Sequence, residues 1–237
     1  MGDLALYQQI KQYLINEIEA GRLKPGDRIP TQEQLCELFH TTRVTVQRAV
    51  DELAEENVLV RMGRRGTFVS KVIWERHLNR FQSSYEDLMS KGIVPTTRVL
   101  NITLITPPPD MAKLLQLEPG EKVAHIQRLR LVEGEPFGLL YDWLPLDLYR
   151  PLLGVDLGEG SLYAHVEEKT GRRITGAKQV IGISNLSRKE AKLLGVSSPH
   201  AALEMDVTCY TDLGQPLLVG KYIFRGDRYR MTVTLRR

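Results

Sequence analysis

Cysteine is nearly absent: Cys36 and Cys209 are the only two in 237 residues. Two thiols so far apart give neither a disulfide framework nor a thiolate metal cluster, and the expected state of each is a plain, reduced side chain. Long apolar runs are missing too. No stretch of eighteen apolar residues occurs, so no membrane-spanning helix is expected. The opening MGDLALYQQIKQYL lacks a basic segment followed by an apolar one and does not read as a signal peptide. A cytoplasmic protein with no membrane partner is the expectation. The five histidines (40, 77, 125, 165, 200) show no ligand spacing, and no Ser/His/Asp set or phosphate-cradling glycine loop is visible. Neither a metal nor a cofactor is therefore expected. A strong charge is also lacking. The net charge is +3, and residues 1–70 carry nine Lys and Arg against ten Asp and Glu, a net −1. If that segment binds nucleic acid, it does so through a local patch.

What is present is ordered. At 42% hydrophobic and 26% charged the composition is that of a globular chain, long enough for two domains. Tyr7, Ile10, Leu14 and Ile18 recur at helical spacing and predict a helix over 4–20, closed near Gly21. Thr31 and Gln34 form a capping box that opens a second helix, with Leu35, Leu38 and Phe39 inward. Thr42 caps a third helix to about Asn57, whose inner face is Val46, Ala49, Val50 and Leu53. Two short strands follow near 58–62 and 66–70, joined by Gly63-Arg64-Arg65-Gly66. Two helices separated by so few residues, then a hairpin, predict a winged helix-turn-helix over 1–70.

Residues 71–77 read as a charged linker. Beyond it, a helix over Ser83–Lys91 precedes strand-like runs at 98–105, 122–132, 136–144, 178–184, 202–211, 215–224 and 229–235, with short helices between them. The whole is an α+β protein whose second domain, 78–237, is built on a mostly antiparallel sheet.

In a helix-turn-helix the first turns of the second helix of the pair enter the major groove. Arg43 and Gln47, four residues apart, share the outer face there. Thr42 and Thr45 add hydroxyls, Arg48 lies beside that face, and Arg64 and Arg65 sit between glycines at the wing tip. Asp51, Glu52, Glu55 and Glu56 all lie in the far half of the helix. That polarity reconciles a net −1 segment with DNA binding. Arg43 or Gln47 alone would more simply be a solvated residue; the ordered combination favours a DNA reader.

In the second domain Arg128 and Arg130 alternate on one strand, with Leu129 and Leu131 on the other face. From the residues alone two readings stay open: each arginine pairs with a surface carboxylate, or the two share an anion. The start of the helix at Gly160-Ser161-Leu162-Tyr163 is a second anion-friendly feature.

The stretches GRLKPGDRIPT, RVTVQRAVDEL and RGTFV together closely resemble the winged helix of the GntR family of bacterial repressors. The resemblance implies operator contacts from Thr31, Arg43, Thr45 and the wing at Gly63 to Gly66. The chain departs from the family pattern at Gln32, where glutamate is common, at Gln47, where arginine is common, and in the wing. Since glutamine suits adenine and arginine guanine, the operator base read at Gln47 is expected to differ. From about 78 to 236 the pieces DLMSKGIVPTTRVL, LQLEPGEKVAHIQRLRLVEGEP, GSLYAHVEEKTG and FRGDRYRM resemble the UTRA effector-binding domain of the HutC subfamily, a fold similar to chorismate lyase. This implies an effector pocket lined by Arg128, Arg130, Ser161 and Tyr163, with the helix start at Ser83, Ser84 and Tyr85 and with Phe224. Leu140 and Leu218 stand where such pockets often carry glutamates, and leucines cannot replace a polyol's lost water hydrogen bonds. The resemblance therefore implies a homodimeric repressor on a palindromic operator, responding to a small anionic metabolite. A chorismate-lyase-like enzyme fused to a DNA-binding module, and a ligand-independent architectural DNA protein, are the alternatives.

Overall fold

The computed structural model describes residues 5–56, 58–70 and 74–235. The chain divides into two compact units, Met1–Val72 and Ile73–Arg237.

In the first unit, helices α1 (Leu6–Glu19), α2 (Gln32–Phe39) and α3 (Arg43–Glu55) precede a hairpin of β1 (Leu59–Arg61) and β2 (Thr67–Val69). The helical periodicity delivers Ile10, Leu14, Leu35, Val46, Ala49, Val50 and Leu53 to one core, closed by Leu59 and Val69 of the hairpin. Leu38, expected inward, is 55% exposed; an eight-residue helix turns one stripe inward, and Leu35 and Phe39 occupy it. The α2–α3 turn works because His40, the residue after Phe39, takes a left-handed conformation (φ 47°) and caps the end of α2. Thr31 does form the capping box, its hydroxyl accepting from the Gln34 amide at 3.2 Å. Thr42 occupies the cap position of α3, but its hydroxyl makes no cap bond and faces the Thr45 hydroxyl at 3.2 Å.

The second unit is a six-stranded antiparallel sheet in the order β4 (Thr96–Ile105), β5 (Val123–Val132), β6 (Glu135–Pro145), β9 (Pro216–Arg225), β8 (Ala201–Tyr210), β7 (Gly176–Asn185). Helices α4 (Ser84–Ser90), α5 (Pro109–Leu114), α6 (Leu146–Tyr149), α7 (Leu162–Thr170) and α8 (Arg188–Leu193) pack around it. Alternation along each strand separates two cores. Leu140, Met205, Leu218, Tyr222 and Phe224 meet Leu88 of α4 and Leu162, Tyr163 and Val166 of α7 on one face. Leu129, Leu139 and Ile223 meet Ala191 of α8 on the other.

The linker expected over 71–77 shortens. Trp74–His77 form β3, which pairs in parallel with β10 (Tyr229–Thr232). Residues 71–73 lie outside the described residues. The four-residue WERH run hides its strand character because its inward residue is Arg76. That side chain is 2% exposed and its guanidinium donates to the Gln82 carbonyl.

Candidate functional site

The outer face of the first unit is built from α2, α3 and the hairpin. Arg43, at the first turn of α3, is 70% exposed and donates to Glu33 of α2 at 2.5 Å. Gln47 follows one turn later. Its carbonyl oxygen accepts from Gln32 and its amide nitrogen donates to Asp51 at 3.2 Å. Gln32 and Gln47, two of the positions that depart from the resemblance, thus touch each other. Arg48 is not brought together with them: its guanidinium lies 3.8 Å over the Tyr7 ring and bonds Glu52 at 3.1 Å. Val44, which the reading of polar residues passed over, is 79% exposed beside Arg43 and presents a methyl surface of the kind that meets thymine.

At the wing tip Gly63–Arg65 form a single 3₁₀ turn. Both flanking glycines have positive φ, 54° and 110°, which a larger residue would adopt only with strain. Arg28 lies against the wing here: a methyl group on Gly66 would come within 2.7 Å of its Nε, so this exposed side chain would have to shift. Arg28 carries no signature of its own in the sequence; its place in the loop before Thr31 was the available signal. Arg65 is exposed, whereas the side chain of Arg64 lies outside what is described. Between α2, α3 and the wing lies a cleft of about 300 Å³, bordered by Arg28, Gln32, Gln47 and Arg61. Short donors, an exposed methyl and arginines thus share one face, with the carboxylates of Asp51 and Glu33 engaged by Arg61 and Arg43.

In the second unit, residues facing each other across the sheet place Arg128 opposite Leu140, and Leu140 opposite Tyr222. Arg128 and Arg130 are 3% and 2% exposed. Neither meets a surface carboxylate. Arg128 donates to Asp142 at 2.7 Å, and Asp142 is itself fully buried. Tyr222 donates to the other Asp142 oxygen at 2.8 Å and lies 3.1 Å from the Tyr163 hydroxyl. Gly220 makes this possible. It sits opposite Asp142, and a methyl group there would meet the Tyr222 ring and hydroxyl at 2.7 Å. Tyr222 therefore folds back over Gly220 to reach the carboxylate. Asp142 escaped notice because PFGLLYDWL reads as an apolar strand; a lone acid among apolar neighbours was the missed signal.

Arg130 donates to Thr97 and lies 5.3 Å over the Tyr85 ring. Burial, and Arg128 beside it, draw its pKa down to about 9, a charge held at a cost. Thr97 and Tyr85 border an open cleft of about 840 Å³ that also includes Arg98, Glu159 and His165. Among the described residues, Nε and Nη1 of Arg128 and Nε of Arg130 are buried without a hydrogen-bond partner. Ser161, before α7, donates to the Ser83 hydroxyl at 3.0 Å, so the starts of α7 and α4 meet at one buried point. Ser84 is buried in the first turn of α4. Tyr163 stacks on Phe81 at 5.8 Å. Leu218 is fully buried opposite Cys209, whose thiol burial pushes up to about 12. Phe224 fills the space above Gly138 and packs on Phe137 and Tyr229, a core role.

Among the described residues, no three His, Cys, Asp or Glu side chains are placed to hold a metal, and no helix is long and apolar enough to cross a membrane.

A winged helix-turn-helix in one chain with a sheet domain whose buried arginines keep unpartnered nitrogens defines a DNA-binding regulator with a sensory domain. Residues 6–69 match the model of bacterial regulatory proteins, gntR family, and residues 90–230 that of the UTRA domain. The HTH-type transcriptional repressor NagR of Bacillus subtilis is 31% identical over 226 residues, 95% of this chain and 93% of that one. The mannosyl-D-glycerate transport/metabolism system repressor MngR of Escherichia coli is 29% identical, over 100% of this chain and 98% of that one. The crystal structure of PhnF from Mycobacterium smegmatis has the same fold, with a TM-score of 0.72 at 23% identity, covering 96% of this chain and 99% of that one. The chain belongs to the gntR family of bacterial regulatory proteins, as a DNA-binding transcription regulator with a UTRA domain.

Proposed function

We propose that the protein is a cytoplasmic homodimeric repressor whose affinity for a palindromic operator is set by a small anionic metabolite bound against Arg128 and Arg130. The observation that carries this is the pair of buried guanidiniums with nitrogens left unpartnered among the described residues. A buried charge without its full set of hydrogen bonds is costly, and an anion entering past Thr97 and Tyr85, which border the open cleft and touch Arg130, would supply acceptors to Arg130 and, deeper, to Arg128. Ser83, Ser84, Tyr85, Ser161 and Tyr163 would surround it. Leu140 beside Arg128, with Leu218 in the same core, supports an effector whose body beyond the acidic group is poor in hydroxyls.

Operator contacts are assigned to Thr31, Thr42, Arg43, Thr45, Gln47, Arg48 and the wing from Gly63 to Gly66. Thr31, which caps α2, and Arg48, which bonds Glu52 and lies over Tyr7, would also hold those helices in place. A non-catalytic sensor fits the second unit, because both oxygens of Asp142, the carboxylate nearest the arginines, are already engaged.

Dimerisation is supported by β7, an edge strand with Val180, Ile181 and Ile183 exposed. Bare apolar edges invite pairing, and a two-fold protein suits a palindromic site. Effector control requires that the ligand favour one arrangement of the two winged helices over the other.

The test is a panel of carboxylated and phosphorylated metabolites, read by thermal shift and by release of the protein from its selected operator. At least one anion is expected to do both for the native chain and neither for Arg128→Ala. A neutral polyol that does both equally in the two proteins would overturn the effector reading.

A further inference from the structure

Four polar side chains from three elements form one hydrogen-bonded chain on the outer face of the first unit. Gln32 of α2 donates to the Gln47 carbonyl oxygen. Gln47 of α3 donates to both carboxylate oxygens of Asp51, at 3.3 and 3.2 Å. Asp51 is ion-paired with Arg61 of β1. Arg61 and Asp51 are 42% and 45% exposed, so the chain adds little to stability. Its effect is on orientation.

A carboxamide has nearly the same shape either way round; its two ends differ in hydrogen-bonding sense. Asp51 removes that ambiguity. A carboxylate accepts and does not donate, so the NH₂ end of Gln47 must face it. The oxygen end then turns to Gln32, whose NH₂ can meet it. Arg61 holds the carboxylate in place from the wing side. Each end of Gln47 keeps spare capacity, one N–H and one oxygen lone pair. A donor and an acceptor side by side match adenine, which offers N7 as acceptor and its amino group as donor. Guanine offers two acceptors at the same edge, and one would oppose the amide oxygen.

We propose that Gln32, Asp51 and Arg61 are positioning residues for base readout, fixing the carboxamide of Gln47 in the orientation that selects adenine. This rests on the reading that α3 enters the major groove. It makes one operator position depend on a residue of α2 and a residue of the wing strand that need not touch the base.

The experiment uses the full chain and a randomised duplex library. Binding to the selected site and to its single-base variants is then measured for the native protein, Gln47→Ala, Asp51→Asn, Asp51→Glu and Gln32→Ala. Gln47→Ala is expected to erase the preference at one position, where the native protein favours adenine on the order of tenfold or more. Asp51→Asn, which can offer either a donor or an acceptor, and Gln32→Ala should each reduce that preference at least threefold while preferences elsewhere persist. Asp51→Glu, still an acceptor, should retain most of it. A uniform loss of affinity at every position would mark a merely structural role and overturn the proposal. So would a base other than adenine at the Gln47-dependent position, or an unchanged preference in both Asp51→Asn and Gln32→Ala. If the native chain selects no sequence at all, the operator-binding reading itself fails, an outcome separate from these.

Discussion

Arg128 and Asp142 form an ion pair of 2.7 Å with both side chains buried. A pair in such a place is sensitive to losing one partner and tolerant of losing both. Asp142→Ala is expected to cost roughly 3–5 kcal/mol in chemical denaturation, because it strands a second guanidinium beside Arg130. The double replacement Arg128→Met with Asp142→Leu should recover most of that loss. If Asp142→Ala proves as stable as the native chain, the pair has no such role.

Gly220 gives a second, independent test of the same network. In Gly220→Ala the new methyl group would occupy the space of the Tyr222 ring, forcing it away from Asp142. The cost should be about 1–3 kcal/mol, the penalty of an unmade buried hydrogen bond. Tyr222→Phe removes the bond without the clash and should cost less. Equal stability of all three proteins would show that Tyr222 does not need this position.

Arg130 is held charged against burial and against Arg128. Arg130→Met should therefore raise the stability of the ligand-free protein, on the order of 1 kcal/mol. The same change should abolish stabilisation by the effector, which for the native chain amounts to about 2.7 kcal/mol at a hundredfold excess over Kd. Thermal denaturation with and without ligand reads both. A variant that is less stable alone yet still stabilised by ligand contradicts the assignment.

The tyrosines set an upper limit in pH. Burial holds Tyr163 and Tyr222 well above the usual value of 10.0, with Asp142 adding to the effect on Tyr222. Tyr141 and Tyr229 are pushed up to about 12 by burial. A group whose folded pKa is raised binds its proton more tightly when folded. Its contribution is complete below the unfolded value and is lost as pH rises through the folded one. Stability should thus fall steeply from about pH 10 upward, and less steeply in Tyr222→Phe. Denaturation midpoints between pH 8 and 11, as an order-of-magnitude window, decide this.

Ile183 is 83% exposed on the edge strand β7. In sedimentation experiments Ile183→Lys should shift a dimer toward monomer, since a charge on an edge strand disfavours pairing. A native chain that sediments as a monomer, or a variant that stays dimeric, would remove β7 from the interface.

The first unit was largely legible in the sequence. Helical spacing placed Ile10, Leu14, Val46, Ala49, Val50 and Leu53 correctly, and Thr31 and Gln34 announced a helix start that the structure keeps. Local rules suffice there because each signal acts within a few residues. Leu38, outside the stripe that packs, and Thr42, which faces a hydroxyl instead of an amide, mark their limit. The strand Trp74–His77 was unreadable for a different reason. It forms by pairing with Tyr229–Thr232, far away in the chain, and its inward residue is an arginine.

The sequence by itself determined the alternation that puts Arg128 and Arg130 on one face, the capped helices, and the glycines that bend the wing. These follow from backbone periodicity and steric limits, which are properties of neighbouring residues. Only the tertiary structure decided that Arg128 and Tyr222 meet Asp142, that Ser83 meets Ser161, and that Gln32 meets Gln47. Those contacts join residues 14 to 80 positions apart, and their register depends on how the strands and helices pack. The partnerless guanidinium nitrogens are a product of that packing: it supplies Arg128 with one carboxylate, and leaves the rest of its hydrogen-bonding capacity, with that of Arg130, to be met by something else.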